Sequence, residues 1–106
     1  MKKLLWIAAC AALIAGGPSL AANPAAGKEK SKTCAACHGP DGNSAAPDFP
    51  RLAGQNFDYL VKALSEYKAG ERKNAIMAPL AGALSQRDIE DLAAYFSRQQ
   101  GLVVKY

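Results

Sequence analysis

Cys34, Cys37 and His38 stand in the run Cys34-Ala35-Ala36-Cys37-His38. Two thiols separated by two residues on one turn can each add to a vinyl group of the same porphyrin, forming two thioether bonds. The imidazole that follows directly is then brought beneath the ring, where one nitrogen can reach the iron. The spacing therefore reads as a c-type haem attachment site. A bare pair of this kind also serves thiol–disulfide exchange or half of a zinc site. Exchange does not require the adjacent histidine, and no βαβ pattern surrounds the pair. A structural zinc site needs four ligands. The only other cysteine is Cys10, near the N-terminus, and His38 is the only histidine.

A second iron ligand would decide whether the iron is closed or open to small molecules. Met77 is the only methionine besides Met1. Its thioether is a soft neutral donor that favours ferrous iron and raises the potential. The same residue could equally fill a gap in an apolar core. With a haem inferred and the single histidine already used, ligation by Met77 is the expectation.

The elements that must position these residues read as helices and loops. Asn23 followed by Pro24 forms an N-cap with proline at the first helical position, which predicts a first helix from Pro24 to about Cys34. Its apolar face is thin, so it depends on docking to the rest of the chain. Residues 39–54, rich in Gly, Pro, Asp and Asn, read as a loop. Asn56 to Ala69 is the clearest helix, with Phe57, Leu60, Val61, Leu64 and Tyr67 on one stripe and Gly70 at the C′ position. A second loop is expected over 71–84, containing Met77 and Pro79. The last helix begins at Ser85, which with Asp88 makes a capping box, while Leu84 and Ile89 make a hydrophobic staple. Ile89, Leu92, Ala93 and Phe96 form its inner face, and Gly101 is expected to stop it. No segment alternates as a strand would.

Residues 1–21 read as a secretory signal peptide. Lys2 and Lys3 give a positive start, Leu4 to Ala15 an apolar stretch, and Ser19 and Ala21 the small residues of a cleavage site. The apolar stretch is short for a membrane span. Ile7-Ala8-Ala9-Cys10 is similar to a lipobox, although too little apolar chain precedes it to favour lipidation at Cys10. Residues 22–106 then form one small domain, of a size that has difficulty burying enough apolar surface without help. A covalently held haem would supply an apolar body at its centre. The chain's net charge of +4 falls to +2 without Lys2 and Lys3, too little to imply nucleic acid.

Four stretches carry a family resemblance: A-G-K-E-K-S-K-T-C-A-A-C-H-G-P-D-G-N-S, P-D-F-P-R-L-A-G-Q, Y-K-A-G-E-R-K-N-A-I-M-A-P-L and L-S-Q-R-D-I-E-D-L-A-A-Y-F. Together the chain from Ala25 to Gln100 resembles class I cytochromes c, most closely the small bacterial c4 / c-553 type. The resemblance implies an all-α cytochrome c-like fold, with three main helices and loops around one covalently attached haem c. It implies thioether bonds at Cys34 and Cys37, His38 as proximal ligand and Met77 as distal ligand. Pro50-Arg51-Leu52-Ala53-Gly54 is similar to the family's P-x-L-x-G loop, in which the Pro50 carbonyl accepts a hydrogen bond from the ligand histidine and Leu52 packs on the haem. Gly27 and Tyr95 match the glycine and aromatic where the first and last helices cross. Lys30 and Ser31 depart from the bulky apolar residues that many members have there.

The resemblance implies a periplasmic electron carrier rather than an enzyme, a one-electron shuttle between respiratory or other redox complexes. Its expected partners are donor and acceptor proteins, including membrane-bound oxidases or reductases, and it is expected to be a monomer or weak dimer. Lys62, Lys68, Arg72 and Lys73 could steer an acidic partner or simply form a solvated face. The alternatives are a haem peroxidase or gas sensor with a displaceable Met77, and a thiol–disulfide module at Cys34 and Cys37.

Overall fold

The computed structural model describes residues 21–101. The expected leader lies outside the described residues except for Ala21, and so does Cys10. Among the described residues every regular element is helical.

Helix α1, Pro24–Lys30, begins as the sequence predicts: Asn23 Oδ1 accepts from the backbone N–H groups of Ala25 and Ala26 at 3.0 and 3.2 Å. It does not run on to Cys34. A 3₁₀ turn, Ser31–Thr33, follows, and then the short helix α2, Ala35–His38. The change of pitch has a local cause. Ser31 Oγ donates back to the Lys28 carbonyl at 2.7 Å, and Cys34 N–H closes on the Ser31 carbonyl at 2.9 Å, tightening the chain just before the cysteines.

Helix α3, Phe57–Ala69, ends at Gly70, whose φ of 79° lets its N–H turn back to the Glu66 and Tyr67 carbonyls. Of the predicted stripe, Leu60 is buried and Val61 and Leu64 pack beside it, whereas Phe57 lies at the surface. Helix α4, Met77–Gly82, corrects the expected 71–84 loop. Pro79 is no obstacle there, because it occupies the third helical position, where a backbone N–H has no intrahelical partner to lose. The Asn74 side-chain oxygen accepts from Ile76 and Met77 N–H, both at 2.9 Å, starting the helix.

Helix α5, Gln86–Ser97, carries the reciprocal capping box of Ser85 and Asp88. It stops at Ser97, short of Gly101. Its last carbonyls are taken early: Phe96 O accepts from Gly54 N–H at 2.9 Å and from Gln99 N–H at 3.2 Å. Gly101 instead lies against the Ala53 carbonyl.

Helix α5 is the central element. Ile89, Leu92, Ala93, Ala94, Tyr95 and Phe96 are buried on it. One side meets α3 through Leu60, and the other crosses α1. At that crossing a Cβ on Gly27 would lie 1.9 Å from the Asp91 carbonyl oxygen and 2.8 Å from Tyr95 Cβ. Only the missing side chain lets the two backbones approach so closely.

Beside it, Lys30 bonds Asp91 at 2.7 Å and Asp88 at 2.9 Å, and Asn23 N–H donates to Asp91 at 2.8 Å. Burial alone would push the Asp91 carboxyl up. The Lys30 ammonium and the Asn23 N–H outweigh it, so the group sits below its ordinary range. Ser85 N–H and then Lys30 hold Asp88 down as well. Lys30 thus docks the first helix on α5 by polar means, while the buried Ser31 bonds back to Lys28 in its own turn.

Candidate functional site

The 3₁₀ turn and α2 set Cys34 and His38 on one tight piece of chain. Cys37 N–H and His38 N–H both bond the Cys34 carbonyl, at 3.2 and 2.9 Å, so the spacing of the motif becomes one helical turn. Neither cysteine forms a disulfide. The turn is tied to the body of the fold by Tyr95, whose hydroxyl donates to the Pro40 carbonyl at 2.8 Å.

His38 is buried, at 7 % exposed. Its Nδ1 lies 2.7 Å from the Pro50 carbonyl oxygen. A carbonyl can only accept, so Nδ1 carries a proton, and in the neutral imidazole Nε2 then keeps its lone pair. The bond fixes both tautomer and ring orientation, as a hydrogen bond behind a ligand histidine does. Pro50 is itself held by the loop that follows: Leu52 N–H and Ala53 N–H both donate to the Gly42 carbonyl, and Gly54 N–H donates to Phe96 on α5.

Cys34, Cys37 and His38 open onto a cavity of about 330 Å³ between the attachment turn, the 48–55 loop, α3, α4 and α5. Met77 lines it from the first position of α4, and Pro50 and Leu52 line it from the loop. The structure therefore gathers all six residues singled out in the sequence around one space. Leu60, Leu64, Leu92 and Phe96 supply much of the rest of the wall. Sequence reasoning missed Tyr59, Ile76 and Leu80, which also line the cavity. Leu80 follows Met77 and Ile76 at helical spacing, a signal obscured by reading Pro79 as a breaker. A more open depression of about 380 Å³, formed by 44–47 and 49–51, contains none of the cysteine, histidine or methionine side chains.

The donor set discriminates among the chemistries considered for the motif. Among the described residues no three His, Cys, Asp or Glu side chains converge as a metal cluster would require. Burial pushes the Cys34 thiol up, whereas a thiol–disulfide nucleophile needs its thiol pulled down. The two thiols, the imidazole with a free Nε2 and the thioether instead share an apolar cavity, which fits a haem attached through Cys34 and Cys37.

The basic residues do not form one free face. Lys62 pairs with Glu66 at 2.8 Å, and Lys68 donates to the Gly82 and Leu84 carbonyls. Arg72 lines the cavity, bonded to the Tyr59 hydroxyl at 3.3 Å and stacked 5.0 Å from the Tyr67 ring centre.

The family model described as "Cytochrome c" matches residues 24–99. Cytochrome c4 of Stutzerimonas stutzeri is 46 % identical over 99 residues, covering 85 % of this chain and 47 % of the relative. Cytochrome c-554(548) of Halomonas halodenitrificans is 47 % identical over 83 residues, covering 76 % of this chain and 100 % of the relative. The crystal structure of reduced recombinant cytochrome c4 from Pseudomonas stutzeri superposes with a TM-score of 0.74 at 48 % identity, covering 78 % of this chain and 48 % of that one. This chain thus spans about half the length of the cytochromes c4 that it matches.

Proposed function

Because the chain belongs to the cytochrome c family, with the haem c that membership implies, we propose that it is a one-electron carrier whose iron is held by His38 and Met77. The haem, when bound, supplies an iron that alternates between the ferric and ferrous states. Cys34 and Cys37 hold it covalently, so it is not lost to solvent between encounters. His38 presents Nε2 to the iron, and the Pro50 carbonyl keeps the imidazole from rotating away. Met77 would hold the iron through its thioether, a soft neutral donor that raises the potential. With the imidazole of His38 and the thioether of Met77 both given to the iron, the chain would leave no position for a peroxide or a gas. Leu52, Leu60, Leu64 and Phe96 exclude water from the ring.

One observation carries this reading: a buried histidine whose Nδ1 is committed to Pro50 faces the same cavity as two free thiols and a thioether. The electron is received from one redox protein and passed to another, through a small and transient contact. The leader-like residues 1–21 and the chemistry of thioether attachment support a periplasmic location, with the working domain running from residue 22.

The test is the Met77→Ala variant, exported and haem-loaded. The wild-type ferric protein should show the weak red absorption band of a thioether on iron. The variant should lose that band, bind carbon monoxide when reduced, and fall in reduction potential by on the order of 0.1–0.2 V. A variant with unaltered spectrum and potential would leave Met77 as core filler only.

A further inference from the structure

The helix that begins with Met77 is short, and both of its ends are held by side chains from outside it. Asn74 Oδ1 accepts from the Ile76 and Met77 N–H groups at its start. At the other end, Lys68 Nζ donates to the Gly82 carbonyl at 3.2 Å and to the Leu84 carbonyl at 2.5 Å. Gly82 is the last residue of α4, and Leu84 immediately precedes the Ser85 cap of α5. Lys68 itself sits in the last turn of α3, one residue before that helix ends.

Helix α4 packs along α3, but little of it is buried. Ala81 is its one buried residue, while Ile76 and Leu80 on the cavity side are 56 % and 44 % exposed. A six-residue helix has little stability of its own. Its terminal carbonyls lack intrahelical partners and carry partial negative charge. An ammonium that bonds two carbonyls across the α4–α5 junction therefore fixes where α4 ends, and with it the place from which Met77 enters the cavity. The neighbouring Lys62 has no such role, since its ammonium bonds Glu66 on its own helix.

We propose that Lys68 is a positioning residue for Met77: by clamping the C-terminal end of α4 to α3, it keeps the thioether on the iron. This rests on the ligation reading given above. Without the clamp, α4 would move away from the cavity more readily, and the iron would become accessible to an added ligand. Charge-assisted hydrogen bonds are among the stronger ones, although solvent at this exposed site reduces their value.

The experiment is imidazole titration of the haem-loaded ferric protein, followed through the thioether band, on wild type and the variants Lys68→Met, Lys68→Arg and Lys62→Met. Lys68→Met should raise the apparent association constant for imidazole about tenfold. Lys68→Arg, which can still donate to two carbonyls, should return most of the way to wild type. Lys62→Met removes the same charge from the same helix and should change nothing. Lys68→Gln, a milder change read in the same assay, should raise the constant in the same direction and covers the case in which Lys68→Met fails to fold. A wild-type value in Lys68→Met or Lys68→Gln, or an equal rise in Lys62→Met, would overturn the proposal while leaving Met77 ligation standing. Absence of the thioether band from wild type would overturn both.

Discussion

The α1–α5 crossing and the α3–α4 cavity wall are built on opposite plans. At the crossing the backbones approach so closely that no side chain fits at Gly27, and Asp91 is 2 % exposed with both carboxylate oxygens bonded. At the wall, Ile76, Leu80 and Tyr59 remain exposed around a cavity, and α4 is tied by the bonds of Asn74 and Lys68. The chain completes the first region by itself. The second is apolar surface left for a prosthetic group to cover, which is how so small a domain obtains a core. The attachment turn is covalently continuous with the crossing, so on the proposed reading the half that the chain completes by itself carries the haem and the other half brings in the Met77 sulfur.

This contrast predicts that damage to the crossing shows as lost stability with an intact iron–sulfur signature, whereas damage at Met77 or Lys68 shows the reverse. The largest effect should come from Gly27→Ala. Its new Cβ meets backbone, which cannot swing aside, so we expect a loss of about 3 kcal/mol or more, read by denaturant unfolding of the haem-loaded protein. A near-neutral result would show that the crossing is looser than its geometry.

Next is the acid response of the Lys30–Asp91–Asp88 clasp. The folded Asp91 carboxyl lies below its ordinary value, so its contribution is present at neutral pH. It is lost as pH falls through the usual aspartate range, near about 4, towards the lower folded value. Asp91→Asn should cost about 2–3 kcal/mol at neutral pH and flatten the decline of stability with acid. An unchanged slope would assign the acid sensitivity to other carboxylates. The smallest effect belongs to Tyr95→Phe, which removes one buried hydroxyl bond to Pro40 and should cost about 1 kcal/mol.

Much of the molecule was legible in the sequence where the signal is local. The capping box of Ser85 and the stripe of α3 are patterns within a few residues, and the structure places helices α3 and α5 where those patterns predicted. The attachment motif is local too, because one turn must reach two vinyl groups and one iron. Expectations failed where distant parts of the chain intervene. Helix α4 was read as loop because Pro79 was weighed without knowing that Asn74 would start the helix just two positions earlier. Helix α5 stops at Ser97, where Gly54, far away in sequence, takes the Phe96 carbonyl of its last turn. Phe57 matches the stripe of α3, yet it lies at the surface.

Residue type and spacing alone thus determined which groups could bind a haem and that α3 and α5 would be helical, since both depend on bonds between near neighbours. The pairing of His38 with Pro50 came from the family resemblance rather than from spacing, and only the folded chain decided that Asp91 would meet Lys30 and that Lys68 would hold the end of α4. Each of those contacts joins residues more than ten positions apart, and their energies exist only once packing has already brought the partners together.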